Sequence, residues 1–395
     1  MQLRNITAEQ ISQLISCRLL PLGLFVLLSG MFWIIERRLY VSMFYLLIVI
    51  PAVVMVLIRP QAVGSILKSN IFIAFLAFAS YCLISISWSG AHESVISLIK
   101  RPVYVLLLFI ACFIVAEKNP AAGERAMKFS AWIALISAII SLWIYAQHDW
   151  PGRLPGYGAL SNPLLTSHIY GFFLIVWLSY LLSDQCKRPV MIVPPIILLF
   201  FLILATGSRT PLVAIVTSTL WIALLAGGRK AWLTVAVLSI TGIAVATFYS
   251  AALLDRGVSY RPELWADTWQ QIQAHPILGH GYHDPLRLYI ESLQTTFIEP
   301  HNMTLSVFYQ GGLVGLLLWL TLYGSAFLAS WRYRGHYLVL ITAAPLMYGF
   351  IAGMTEGGDV IARPKEHWFL IWIPLALIAA SVSIAQRNER DTAHV

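Results

Sequence analysis

The sequence predicts an all-α polytopic membrane protein of about twelve transmembrane helices, and three observations carry that expectation. Of 395 residues, 59% are hydrophobic and 11% charged; soluble domains carry about 25% charged residues, so this chain lacks the polar surface to cover itself in water. Mean hydropathy is +0.76, and many of the apolar runs reach the roughly 20 residues that cross ~30 Å of hydrocarbon. The runs are continuous rather than alternating, which excludes a membrane barrel.

The spans are expected at 19–35, 40–58, 71–88, 103–116, 129–146, 164–182, 190–205, 211–226, 231–254, 303–327, 337–354 and 368–384. Ahead of the first, Ile6, Ile11, Leu14 and Ile15 among polar neighbours suggest a short helix lying on the membrane surface. No small-x-small site follows the first run, so it reads as a span rather than a cleaved signal. An even count puts both termini on one side. That side's segments hold 15 of the 26 Lys and Arg and 6 of the 18 acidic residues, giving net +9 against −1 opposite. Positive charge favours the cytoplasm, which places both termini there. The overall +8 therefore follows from topology, and nucleic acid is not needed to account for it. Cys17, Cys82, Cys112 and Cys186 stand singly, in neither zinc nor disulfide spacing.

One connection breaks the rhythm. Residues 255–302 form an outer loop of nearly fifty residues, too long for a turn. The chain thus divides into 1–254 with nine spans, 255–302 as a lid, and 303–395 with three spans and a cytoplasmic tail. In the lid, Ser259 or Tyr260 precedes "RPELWADTWQQIQAH", where Pro262 opens a helix and Leu264, Trp265, Thr268, Trp269 and Ile272 share one face. After "HPILGHGYHD", Asp284 and Pro285 begin a second expected helix carrying Leu286, Tyr289, Ile290, Leu293 and Phe297. Two amphipathic helices in one loop suggest a cover along the interface.

The chemistry-bearing residues lie at the outer ends of the spans. Arg209 sits in "ATGSRTPL", a tight turn whose backbone N–H groups, helix N-terminus and guanidinium together suit a phosphate. Arg261 opens the lid, Arg153 precedes "LPGYGALSNP", and Lys100 and Arg101 precede the fourth span. An Arg at a span end often snorkels to the headgroups. Several cations on a net-negative outer face nevertheless favour an anionic lipid phosphate or pyrophosphate. His301, at the mouth of the tenth span, keeps a neutral fraction near pH 7 and suits a general base, with Glu299 or Asn302 to orient it. The plain alternative is a histidine that only caps that span. His275, His280 and His283 with Asp267 and Asp284 form no metal motif, so no metal is assigned. Gly311, Gly312 and Gly315 allow close approach by another helix.

These motifs resemble a known family. "HNMTLSVFYQGGLVG", a His-Asn, nine residues and Gly-x-x-Gly, is similar to the signature of O-antigen ligases. "ATGSRT", "RPELW", "HPILGHGY", "GRLPGYGALSNP" and "ISWSG" resemble the wider O-antigen ligase and polymerase superfamily, over roughly 153–327. The resemblance implies a C-type glycosyltransferase of a bacterial inner membrane, independent of metal and other cofactors. It would move O-antigen polysaccharide from undecaprenyl pyrophosphate to a sugar hydroxyl of lipid A–core at the periplasmic face, with inversion. Carried onto this chain, it implies pyrophosphate binding by Arg209 and Arg261, with Arg153 in support, and His301 as base.

Within the superfamily, a polymerase or a protein O-oligosaccharyltransferase would use the same donor. The match around His301 favours the ligase, and the absence of a large C-terminal outer domain speaks against the protein-glycosylating type. A transporter would show repeats of broken helices with mid-membrane charges. No internal repeat is visible, and the ionisable residues crowd the outer span ends.

Overall fold

A computed structural model describes residues 7–64, 66–148, 152–248 and 260–393. The main helices are α1 (Ala8–Phe32), α2 (Arg37–Ile58), α3 (Asn70–Trp88), α4 (Val95–Lys118), α5 (Pro120–His148), α6 (Pro163–Leu182), α7 (Pro189–Ala205), α8 (Thr210–Ala226) and α9 (Gly228–Phe248). After them come α10 (Arg261–Ile272), a hairpin of β1 (Leu288–Ile290) and β2 (Thr295–Phe297), then α11 (Met303–Arg332), α12 (Tyr337–Gly353) and α13 (Glu366–Thr392). Each expected span falls on a helix over its described residues, the end of the ninth (249–254) lying outside them. Eight of the described helices are long and apolar enough to cross a membrane; α7, α8 and α12 are apolar but shorter. The chain is a polytopic all-α membrane protein.

Side chains and backbone groups in the bundle satisfy each other, as a lipid solvent demands. Serines and threonines bond back to their own helices, as Ser218 Oγ does to the Ala214 carbonyl at 2.6 Å. The core is aromatic: Phe75 stacks on Phe109 at 4.9 Å and meets Trp372 edge-on at 5.6 Å. Gly171 lies against the Tyr348 hydroxyl and Gly349 against the Leu370 carbonyl, so α6, α12 and α13 approach to a distance that admits no Cβ.

Three expectations change. The surface helix before the first span is not separate: Thr7 and Gln10 form a capping box, and α1 runs from Ala8 through a π turn at Ile15–Leu19. Ser12 and Ser16 are buried there, with Ser16 Oγ on the Ser12 carbonyl at 2.8 Å, which puts this polar stripe inside the bundle; Ile6 lies outside the described residues. Likewise α4 starts at Val95, capped by Ser94, so Lys100 and Arg101 lie within it rather than ahead of it.

Among its described residues the lid has one α-helix, not two. Pro262 does stand in the first turn of α10, with Leu264, Thr268 and Ile272 buried, while Ser259 lies outside the described residues. The expected second helix is the β1–β2 hairpin, with Leu288 opposite Phe297 and Ile290 opposite Thr295. Leu286, Leu288 and Ile290 are buried and Arg287 and Tyr289 exposed. That alternation is the strand period, and the 3–4 spacing of the same residues misread it. Asp284 caps no helix; its carboxylate accepts from the Gly90 N–H and the Tyr309 hydroxyl, each at 2.8 Å. The lid residues pack with Tyr309 of α11 into a small core of their own.

Helix α11 is broken at Gly312 (φ 58°). The backbone groups the break exposes are taken up by the lid: Leu313 N–H donates to Pro276 O (2.8 Å) and Val314 N–H to Ile277 O (3.2 Å). In return His280 and Gly281 donate to Tyr309 O (2.9 Å) and Gln310 O (2.8 Å). Gly279 (φ 71°) lies against Gln310 O and the Gly312 nitrogen. Gly311 and Gly315 do face another helix, through Tyr81 of α3, but Gly312 admits the lid turn at Ile277–Gly279 instead.

Candidate active site

His301 stands one residue before the cap of α11, in the left-handed region at φ 49°. For a residue with a Cβ that conformation costs about 1–2 kcal/mol, and such strain persists only where surroundings fix it. The fixing contacts are present. Asn302 accepts the Leu305 N–H at 2.9 Å, Trp265 of α10 donates its indole N–H to Pro300 O at 3.0 Å, and Ser306 Oγ donates to Gly358 O.

The glycine pair Gly357–Gly358 lets the segment after α12 close over this turn, since a Cβ at Gly357 would meet Met303 and His367. That closure delivers Glu356. Its side chain is 4% exposed and is ringed by His301 Nδ1 at 3.5 Å, Arg261 at 3.7 Å and His367 Nε2 at 3.8 Å. Burial alone would raise the Glu356 carboxyl, but the imidazoles of His301 and His367 beside it and the other positive charge around it hold it well below the usual carboxylate range. In return, Glu356 raises the His301 imidazole above its ordinary value against the opposing pull of burial, with a smaller push from Glu299, 3.9 Å from Nδ1. His168 of α6 lies within electrostatic reach of Glu356, His367 and Arg261. His168 Nε2, both His367 ring nitrogens and the Arg261 Nε are buried without a hydrogen-bond partner. Buried groups of this kind call for an explanation, and a bound polar ligand is one.

A second charged cluster adjoins the first through Asp359. Arg101 holds both Glu93 oxygens at 2.7 Å and lies 3.6 Å from Asp359; His283 Nε2 is 3.8 Å from Glu93 and 3.9 Å from Asp359. Burial lowers the His283 imidazole, although those carboxylates pull it upward. Lys365 also reaches Asp359, at 3.3 Å.

Arg209 is half-buried at the start of α8, after the Gly207 turn (φ 62°). Arg153 anchors that turn: its Nε donates to Thr206 O at 2.8 Å and its other arm to Ser208 Oγ at 3.2 Å. The loop that follows leads to Asn162, which caps α6 two turns before His168.

The structure therefore brings His301, Glu299 and Arg261 together around Glu356. Asn302 is committed to capping, Arg101 to Glu93, and Arg153 to the turn that carries Arg209. Sequence reasoning passed over Glu356, Asp359, His168 and His367. A signal was available in "MTEGGDV", an acidic, glycine-paired interlude between two apolar spans, because charge beside a membrane span is a functional site by default. Among the described residues, no group of three or more His, Cys, Asp or Glu is arranged to hold a metal. His280 instead bonds the Gln271 carbonyl at 3.0 Å and stacks on Tyr309.

The chain is similar to known proteins over most of its length. The O-antigen ligase family model matches residues 194–320, from α7 into the broken helix α11. An "O-antigen ligase" of Pseudomonas aeruginosa is 43% identical over 373 residues, covering 93% of this chain and 92% of that protein.

Proposed function

The chain belongs to the O-antigen ligase family, and on that premise we propose that it joins O-antigen polysaccharide, carried on undecaprenyl pyrophosphate, to a sugar hydroxyl of lipid A–core. The reaction takes place at the periplasmic face of the inner membrane, with both termini in the cytoplasm and the 255–302 segment as the lid. The observation that carries this reading is the shared carboxylate: Glu356 faces the base candidate His301 and the cation Arg261 at once.

With Nδ1 turned to Glu356, the Nε2 of His301 is left for the acceptor hydroxyl. The hydroxyl oxygen attacks the anomeric carbon, its proton passes to Nε2, and the bond from that carbon to the pyrophosphate oxygen breaks with its electron pair. Attack from the side opposite the leaving group inverts the anomeric centre. Base catalysis of this kind supplies roughly 10²–10⁴-fold. Arg261 and Arg209 stabilise the charge that develops on the pyrophosphate, an electrostatic contribution that requires them to be placed in advance. Arg153 acts by holding the Arg209 turn, Glu356 by orienting the imidazole and stabilising the imidazolium.

The test is transfer in vitro with purified protein, lipid-linked donor and lipid A–core, in the presence of EDTA. We expect wild type to glycosylate the core and folded His301→Ala, Arg209→Ala and Arg261→Ala to lose transfer. Near wild-type rates in His301→Ala would overturn the base assignment. Donor chains that lengthen without reaching the core would identify a polymerase.

A further inference from the structure

At the far end of the bundle from His301, α5, α6, α12 and the connection after α6 enclose a cavity of about 340 Å³. The two ends are joined by α12, seventeen residues long and so about 25 Å, with Tyr337 at the cavity and Glu356 just past its other end. Along the spans the cavity wall is apolar and includes Trp132 and Trp177; at its mouth are Lys128, Lys187 and Arg188. Glu124, Lys128 and Trp132 recur every fourth residue of α5 and so form one stripe, passing from charge to indole with depth. The Lys128 ammonium pairs with Glu124 at 2.6 Å and lies 5.1 Å from the Tyr180 ring centroid, while Tyr337 donates to Glu124 at 3.0 Å. The one carboxylate is thus already matched, and the mouth keeps a net positive charge. A separate observation points inward: Trp177 is 6% exposed, and its indole N–H has no hydrogen-bond partner.

We propose that this cavity binds the headgroup end of one anionic phospholipid, its phosphate at Lys128, Lys187 and Arg188, the upper part of one acyl chain along Trp132 and Trp177, and its ester region accepting the Trp177 N–H. Cations near a membrane surface attract anionic headgroups, and amphipathic aromatic rings sit at the headgroup level. A zwitterionic lipid would satisfy the apolar wall but not the two positive charges that Glu124 leaves unbalanced.

Native mass spectrometry of the full chain, exchanged into phosphatidylglycerol or phosphatidylcholine of the same chain length, tests this. Wild type is expected to retain phosphatidylglycerol in preference to phosphatidylcholine. Lys187→Gln/Arg188→Gln should bind it roughly tenfold or more weakly, and Trp177→Phe roughly fivefold more weakly. Both variants should retain transferase activity, which certifies their fold. Equal retention of the two lipids by wild type, undiminished phosphatidylglycerol in the double variant, or its displacement by an equal concentration of inorganic phosphate would each overturn the proposal.

Discussion

Replacing Gly279 by alanine tests whether the lid depends on the break in α11. Gly279 has φ 71°, where a residue with a Cβ pays about 1–2 kcal/mol. The added Cβ would press on Gln310 O and the Gly312 nitrogen, both backbone atoms that no rotamer change can clear. The lid turn must then withdraw, and four backbone hydrogen bonds go with it: from Leu313, Val314, His280 and Gly281, at 2.8 to 3.2 Å. At about 1 kcal/mol each these amount to about 4 kcal/mol, and with the backbone strain the loss is about 5 kcal/mol. Gly324, in the same helix, has open space around it, so Gly324→Ala should gain about 0.5–1 kcal/mol from helix propensity. Thermal unfolding of both variants in detergent should move the midpoint down for the first and leave it level or higher for the second. Transfer by Gly279→Ala should fall at least about tenfold, because the lid carries Arg261 and the Trp265 that tethers Pro300. A Gly279→Ala protein that unfolds and transfers like wild type would refute the reasoning.

Other variants address the charges. In Glu356→Gln the imidazole loses the partner that raises it, so the acid limb of the kcat/KM profile should move to lower pH, while the plateau drops by roughly 10²-fold or more; an unmoved limb would mean that Glu356 does not act on His301. The stability Glu356 contributes is present above the ordinary carboxylate range and is lost as pH falls through its depressed value. His301 contributes in the opposite sense, below the ordinary imidazole value, and its contribution is lost as pH rises through the raised one. Acid unfolding of Glu356→Gln should therefore be shallower than that of wild type. Glu93→Ala strips a guanidinium only 8% exposed of its paired bonds, while the carboxylate itself is 41% exposed. The expected destabilisation, discounted for that exposure, is about 2 kcal/mol by denaturant titration, and an unchanged midpoint would show that Asp359 alone suffices.

The spans were legible because apolar run length is a one-dimensional property, and the described part of each expected span falls on a helix. The hairpin was not, since Leu286, Tyr289, Ile290, Leu293 and Phe297 satisfy a helical spacing as readily as Leu286, Leu288 and Ile290 satisfy a strand; only packing on Tyr309 decides. At the site, His301 and the arginines were visible as polar groups beside apolar runs. Glu356 was hidden because its importance lies in closing from a distant segment onto a turn 55 positions earlier. Arg153 reads in the sequence as a phosphate contact and Asn302 as a group that orients His301; that Arg153 also donates to the Thr206 carbonyl and the Ser208 hydroxyl, and that Asn302 caps α11, is something a residue type alone does not disclose.

The place of Glu356 in the chain has a consequence for biogenesis. Arg261 and His301 leave the ribosome well before the residue that balances them, and that residue arrives only with the final helical pair, α12 and α13. Until those two insert, Arg261 and His301 lack the carboxylate that faces both. A chain interrupted before its last sixty residues would embed most of its helices and carry both Arg261 and His301, yet lack Glu356, so the cluster is completed only by the closing step of insertion.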